Sequence, residues 1–473
     1  MVLHRSTSRS LLDRKGSHDD TGNAWCVFDS VEDLESCLRE NRNQHLIYYP
    51  RCKHELIESQ AESISRALES NDTLLTLSIE EVRIPSQLAL HRLAHAVFSH
   101  SMCQKITFYD NKLGDEGVAL LMQAVYMKSP RMWPSLPSPE PFSHHQTNIK
   151  SIVLSSNNIG DMSCCWISQA IMQNSNIREL DLSYNEITSA GCSYLAYMLA
   201  HSGLTSLVLN GNQVGVLGAR ALAQALCVNQ QVSVLGLCGN GLHDEGAIEI
   251  CKAVEGHSSM RALLLEDNNL QERGLAAIGH AYRRNPRIGM MEISWNSVST
   301  FAMSSISCSL DNVLYLYLDH CDLRDQHITI LARSLRTNTS VKDLFLEQNS
   351  IGYQGAMALA ETLQVNRTLE GVLLDRNPLT EQGAHVLLEA VKRHNCTLRR
   401  LQFRDEYHHI QRECDVYLDM NEVGREAVLS DNFQLSLWPS FLQKAVIAHD
   451  PDLIYLFLRE KPELFQEHQA MPI

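Results

Sequence analysis

The segment from Ile177 to Gly218, IRELDLSYNEITSAGCSYLAYMLAHSGLTSLVLNGNQVGVLG, states one pattern and then begins to restate it. Aligned on asparagine, Ile177, Leu180, Leu182, Asn185 and Ile187 return as Leu204, Leu207, Leu209, Asn212 and Val214. This is an LxxLxLxxNxI phrase with a period of about 28 residues, the size that marks a solenoid. A unit of that length cannot bury its own apolar face, so stability comes from stacking neighbours. The phrase opens again at Leu74, Cys103, Ile149, Val232, Met260, Ile288, Val313, Val341, Leu369 and Leu398, with the first and last copies incomplete. The repeat therefore replaces the division into domains of about 150 residues that length alone suggests.

Within one unit the LxL residues alternate, which predicts a strand that points every second side chain inward. The asparagine recurs as Asn111, Asn157, Asn185, Asn212, Asn240, Asn268, Asn296, Asn349 and Asn377, with Cys321 in its place once. Its amide is suited to pair backbone groups of adjacent turns where the chain leaves the sheet, which predicts a structural ladder and not a row of ligands. Beyond it, Ala219, Leu222, Ala223 and Leu226, or Ala356, Leu359, Ala360 and Leu363, form the i, i+3, i+4, i+7 stripe of a helix laid on the sheet. One strand and one full helix per unit require parallel strands with the helices on one side.

The resulting LxxLxLxxNxIxxxGaxxLaxaL pattern, over residues 74–403, resembles the ribonuclease-inhibitor class of leucine-rich repeats. The resemblance implies an α/β leucine-rich-repeat solenoid, a horseshoe with a parallel sheet on the concave side and helices on the convex side. Members of that class include ribonuclease inhibitor, the sensor halves of nucleotide-oligomerisation-domain receptors and the activating protein of the Ran GTPase.

Two irregularities interrupt the period. The interval from Cys103 to Ile149 stretches to 46 residues, and SPRMWPSLPSPEPFSHHQ carries five of the thirteen prolines. A Pro-rich insertion at 129–148 is expected to leave the solenoid as an exposed loop. Pro134 and Pro137 make a minimal PxxP and Ser129 and Ser138 precede proline, so a docking or phosphorylation site stands beside the reading of a tolerated insertion. The second irregularity is a contraction to 25 residues between Ile288 and Val313, where a local change in curvature is expected.

Flanking segments follow other rules. Residues 1–22 are polar and unpatterned and are expected to be a disordered tail. Residues 23–73 carry Val31, Leu34 and Leu38 at helical spacing and are expected to form a helical N-terminal cap. Residues 404–473 hold three apolar-rich segments, read as a helical C-terminal cap. Their YLDMNEVGR…LWPSFL…YLFLREKPELF pattern resembles a C-terminal extension of leucine-rich-repeat proteins from algal-type protists.

Composition narrows the function classes. A formal charge of -15 disfavours tracking of nucleic-acid phosphates and favours a basic partner. The fourteen cysteines show no CxxC or Cys/His zinc spacing, and Cys164, Cys192 and Cys251 occupy apolar slots of the repeat, as small buried hydrophobes do. A reduced, cytoplasmic setting is the expectation, with the nucleus also open, and neither an apolar run of about 18 residues nor a signal-peptide core suggests a membrane. The 21 histidines form no HExxH or HxH, and the glycines of GLCGNG and GNQVGVLG sit at repeat positions, so no cofactor, metal or catalytic residue is assigned. The sequons at Asn71, Asn338, Asn366 and Asn395 recur between helix and strand and read as turn chemistry.

Function is then expected on the concave face, at strand positions between the inward leucines. The central exposed row runs Val208, Gly236, Leu264, Glu292, Tyr317, Phe345 and Leu373, and the next runs Asn210, Cys238, Glu266, Ser294, Asp319, Glu347, Asp375 and Arg404. Trp295, Tyr315 and His320 adjoin them. Aromatic and acidic ladders side by side predict a protein-binding patch of Glu292, Trp295, Tyr315, Tyr317, Asp319, Phe345, Glu347 and Asp375. The protein is expected to be a non-enzymatic interaction scaffold or sensor, for a partner with apolar groups flanked by Lys or Arg. The alternative is a GTPase-activating protein of the Ran type, which would lack the acidic run that ends those proteins.

Overall fold

A computed structural model describes residues 25–41, 43–50, 54–125, 147–403 and 407–423. By packing, the chain divides into two compact units, Met1–Leu270 and Gln271–Ile473.

In the first unit nine strands pair in parallel with their sequence neighbours: Cys26–Phe28, His45–Tyr48, Thr76–Glu80, Lys105–Tyr109, Ser151–Val153, Glu179–Asp181, Ser206–Val208, Val234–Gly236 and Ala262–Leu264. Their register aligns Leu46, Leu77, Ile106, Ile152, Leu180, Leu207, Leu235 and Leu263 as one buried ladder. Each such side chain, removed from water, contributes about 1.5–3 kcal/mol. A helix follows each strand and covers the ladder from one side. In Ser189–His201, for example, Cys192, Leu195, Ala196, Met198 and Leu199 are buried, and the Thr188 hydroxyl caps the start by accepting the Ala190 N–H at 3.2 Å. Gly218 is glycine for want of room, since a Cβ there would stand 2.7 Å from Val214 Cγ1 and 3.1 Å from Cys192 Sγ.

In the second unit the strands Met290–Glu292, Tyr315–Tyr317, Asp343–Phe345, Gly371–Leu373 and Arg400–Gln402 pair in the same way. Met291, Leu316, Leu344, Val372 and Leu401 form their buried ladder. The contraction after Ile288 is absorbed by the helix, because Thr300–Ser307 has 8 residues where Glu272–Arg284 has 13. No helix of the described residues is long and apolar enough to cross a membrane.

The asparagine ladder does what its chemistry predicts. Asn185 Nδ2 donates to Leu154 O at 3.0 Å and Leu182 O at 2.9 Å, while its Oδ1 accepts from Asn157 N at 2.8 Å and Ile159 N at 3.1 Å. One side chain thus satisfies four buried backbone groups of two neighbouring turns. At the Cys321 rung the Sγ lies 3.5 Å from Ile293 O, and the Cys321 N–H donates to Asn349 Oδ1 at 2.9 Å.

A second ladder runs where helices return to strands. Asn366 Nδ2 donates to Leu335 O at 2.7 Å and its Oδ1 accepts Thr368 N and Leu369 N, both at 2.8 Å. Asn71, Asn366 and Asn395 are buried and Asn338 is half-buried, which accounts for the recurring sequons as turn chemistry. His257 fills one rung of this ladder, its two ring nitrogens taking the places of the amide nitrogen and oxygen. Nε2 faces Asn229 O at 2.8 Å, and Nδ1 accepts from Met260 N at 3.2 Å. Burial lowers its pKa below the ordinary value, and the bond to Asn229 O offsets part of that shift. The neutral ring is the native form, so its stabilisation is present above about pH 6.5 and is lost as pH falls through the lowered native value. His257→Asn supplies the same bonds without a titrating ring. Urea midpoints should therefore fall less between pH 7.5 and 5.5 in the variant than in the wild type; an identical fall in both would remove His257 from the acid response.

Two expectations change in the fold. The segment expected as a helical cap at 23–73 holds two strand–helix units of the same sheet, with strands Cys26–Phe28 and His45–Tyr48 and helices Val31–Arg39 and Glu58–Ser70. All four residues of His45–Tyr48 are buried, so the usual alternation is missing, and no asparagine follows to mark the phrase. The exposed rows also differ in the first unit, where Val208 and Leu264 are buried and Gly236 leaves no space, a Cβ there lying 2.7 Å from Val208 Cγ1. Residues of one row on adjacent strands, about 4.8 Å apart, cover one another when the side chains are aliphatic.

The tail at 1–22, the insertion apart from Thr147 and Asn148, and the C-terminal segment beyond Val423 lie outside the described residues, as does Arg404. The cysteine expectation holds at the slots named: Cys164, Cys192 and Cys251 are buried, and burial foremost pushes the Cys192 and Cys251 thiols up to about 12.

Candidate protein-binding face

In the second unit each strand presents its first and third residues on the side away from the helices. The register places Met290, Tyr315, Asp343, Gly371 and Arg400 in one row, and Glu292, Tyr317, Phe345, Leu373 and Gln402 in another. Because parallel strands repeat at about 4.8 Å, flat rings at matching positions stack. Tyr317 and Phe345 do so, with centroids 4.1 Å apart and planes 9° from parallel. Both stay half-exposed, since Glu292 and Leu373 flank the pair without covering it.

The next row turns out of the sheet. Trp295, His320, Gln348 and Arg376 occupy equivalent positions, all with φ between 53° and 58°. This left-handed turn costs a non-glycine residue some strain and swings its side chain onto the rim of the face. Trp295, 52 % exposed, stacks on His320 with centroids 3.5 Å apart, and His320 Nε2 is hydrogen-bonded to Gln348 Oε1. Two stacked pairs, one in the sheet and one on its rim, therefore share the same three repeats.

The acidic residues divide by role. Glu347 and Asp375 are half-buried beside the rings, and Glu292 is half-buried with its Oε1 accepting the Ser294 N–H at 3.2 Å. Asp319, expected in the exposed row, is instead buried at 4 % exposure. Its Oδ1 accepts the Glu347 N–H at 2.7 Å, so the carboxylate is turned into the strand exit and serves the backbone there. Carboxylate charge raises the Cys321 thiol further, after burial, through Asp319, Glu292 and Asp322.

A pairing outside the sequence-based set anchors the same face. Arg400 Nη2 reaches Asp343 Oδ1 at 2.7 Å across the intervening strand, and the Asp343 side chain is 9 % exposed. The reach passes over Gly371, where a Cβ would press on Asp343 Oδ1 and lie 3.4 Å from Arg400 Nε. A glycine at a position where the neighbouring strands carry Asp343 and Arg400 was the one signal for it. Gly371→Ala is expected to lower stability by about 1–3 kcal/mol through this overpacking and the displaced ion pair. Urea unfolding tests it, and an unchanged midpoint would show that the crossing does not need the gap.

Away from the sheet, the ligand atoms of Glu381, His385 and His409 lie within 4.8 Å of one another, on exposed side chains. Glu381 and His385 stand four apart in the sequence, a spacing that belongs to neither HExxH nor HxH.

Comparison with known proteins agrees with this architecture. The leucine-rich-repeat family model matches residues 145–168, 173–196, 202–223 and 337–360. The ribonuclease inhibitor of Sus scrofa is 24% identical over 304 residues, covering 63% of this chain and 57% of that protein. The NACHT, LRR and PYD domains-containing protein 14 of Homo sapiens is 23% identical over 335 residues, covering 69% of this chain and 29% of that protein. The alignments thus span little more than half of the first relative and under a third of the second. Among solved structures, a chain of the yeast Rad7 and Elc1 complex aligns with a TM-score of 0.48 at 15% identity, over 78% of this chain and 86% of that one. By its repeat phrase, its parallel strands in register and these relatives, the chain is a ribonuclease-inhibitor-like leucine-rich-repeat protein.

Proposed function

We propose that this protein is a non-enzymatic binding scaffold whose second unit holds a protein partner on the exposed side of the sheet from Met290 to Gln402. The observation that carries the reading is the pair of ring stacks, Tyr317 on Phe345 and Trp295 on His320, kept accessible beside Glu347 and Asp375. Stacked aromatics held on a sheet and its rim bury large area on binding while losing few rotamers, which is what interface hot spots require. The flanking carboxylates favour apolar groups bordered by Lys or Arg, and the overall charge of -15 steers such a surface inward. The aliphatic rows of the first unit, closed over one another, offer less to grip.

Site-specific photo-crosslinking tests this. A crosslinking residue at position 317 should capture the same partner that copurifies with the wild type, while one at Tyr197, exposed on a helix, should not. Capture from Tyr197 with none from position 317 would move the binding surface to the helices.

A further inference from the structure

The last described helix and the helix before it bring three metal-ligating side chains together. Glu381 and His385 lie four apart on Thr380–Arg393, hence on one face of that helix, and His409 stands in the first turn of His408–Val423. Nε2 of His409 is 3.7 Å from Glu381 Oε1, and the His385 and His409 rings meet edge-on with centroids 6.3 Å apart. As a plain surface ion pair, His409 with Glu381 would be worth little.

We propose that Glu381, His385 and His409 bind a transition-metal dication of the zinc class, with water completing the coordination. Two imidazoles and one carboxylate are a donor set that suits zinc, copper or nickel and not magnesium or calcium, which take oxygen ligands. A tetrahedral zinc site with bonds of about 2.0–2.2 Å holds its ligand atoms about 3.4 Å apart. The three side chains are exposed, and small rotations about their χ angles close the remaining distance. The ligands come from two helices, so the ion binds only when His408–Val423 is docked. It would therefore clip that helix to its neighbour, where Ile410, Cys414, Tyr417 and Leu418 are buried and Asn421 Nδ2 donates to Leu398 O at 2.8 Å. The open water position would also leave a coordination site for a donor from outside the chain.

Zinc titration of the full chain tests this, by calorimetry and by thermal melts, with wild type beside His385→Ala, Glu381→Gln and the control His394→Ala. The wild type and the control should gain Tm with zinc and not with magnesium. His385→Ala and Glu381→Gln should melt like the wild type in EDTA, yet lose one zinc equivalent or bind it about tenfold or more weakly. They should also lose the matching part of the zinc-dependent rise in Tm. Glu381→Gln keeps the side-chain shape and decides the matter should His385→Ala fail to fold. Equal stoichiometry, affinity and Tm shift in wild type and Glu381→Gln would overturn the proposal, as would a magnesium response equal to that of zinc.

Discussion

Asn349→Leu is expected to destabilise the second unit by about 3 kcal/mol or more, although it swaps one buried side chain for another of the same branched skeleton. Asn349 Nδ2 donates to Leu318 O at 2.8 Å and Leu346 O at 3.0 Å, and its Oδ1 accepts from Cys321 N at 2.9 Å and Leu323 N at 3.0 Å. Leucine leaves these buried groups facing hydrocarbon, at about 1–3 kcal/mol for each that finds no water or new partner. The penalty is concentrated here because the rung above is Cys321, whose thiol substitutes poorly for an amide. Urea unfolding followed by far-ultraviolet circular dichroism measures the loss. A change below about 1 kcal/mol would mean that the ladder is decoration on a fold held by leucines alone.

The second large effect concerns binding with stability left nearly intact. Tyr317 and Phe345 are half-exposed, so Tyr317→Ala with Phe345→Ala removes mainly one stacked pair, worth about 0.5–1.5 kcal/mol to folding. On a partner's surface the same rings would be covered, and truncating hot-spot aromatics costs about 2 kcal/mol or more each. The double variant should therefore bind about a hundredfold or more weakly while its urea midpoint moves little. Ionic strength separates the contributions: salt should slow association with the wild type through Glu347 and Asp375, and leave dissociation, governed by the rings, nearly unchanged.

How much of this was legible before the structure follows from the range of each interaction. The leucine and asparagine ladders repeat every 25 to 29 residues over most of the chain, so each copy confirms the next; the contraction after Ile288 was visible as a short interval, while its absorption into the helix Thr300–Ser307 was not. The strand at His45–Tyr48 was not, because it is buried on both faces and its turn lacks asparagine. On the candidate face, Glu292, Trp295, Tyr315, Tyr317, Phe345, Glu347 and Asp375 could be assigned to one patch because parallel register converts sequence period into neighbourhood. What period cannot tell is the direction of a polar side chain at a strand exit. Asp319 fits the acidic row by number and yet turns back to the Glu347 N–H. The Asp343–Arg400 bridge spans two strands over Gly371, and Glu381, His385 and His409 meet across two helices, so neither depends on any one repeat position. Such contacts arise from side-chain reach in three dimensions, which the pattern of a single unit does not contain.

The central claim, that the aromatic side of the second unit's sheet holds the partner, is tested most directly by measuring Kd for one purified copurifying protein. Wild type is compared with the variant combining Tyr317→Ala and Phe345→Ala, both shown by urea unfolding to be fully folded under the binding conditions. A Kd weakened about a hundredfold in the double variant is the predicted result. An unchanged Kd would contradict it.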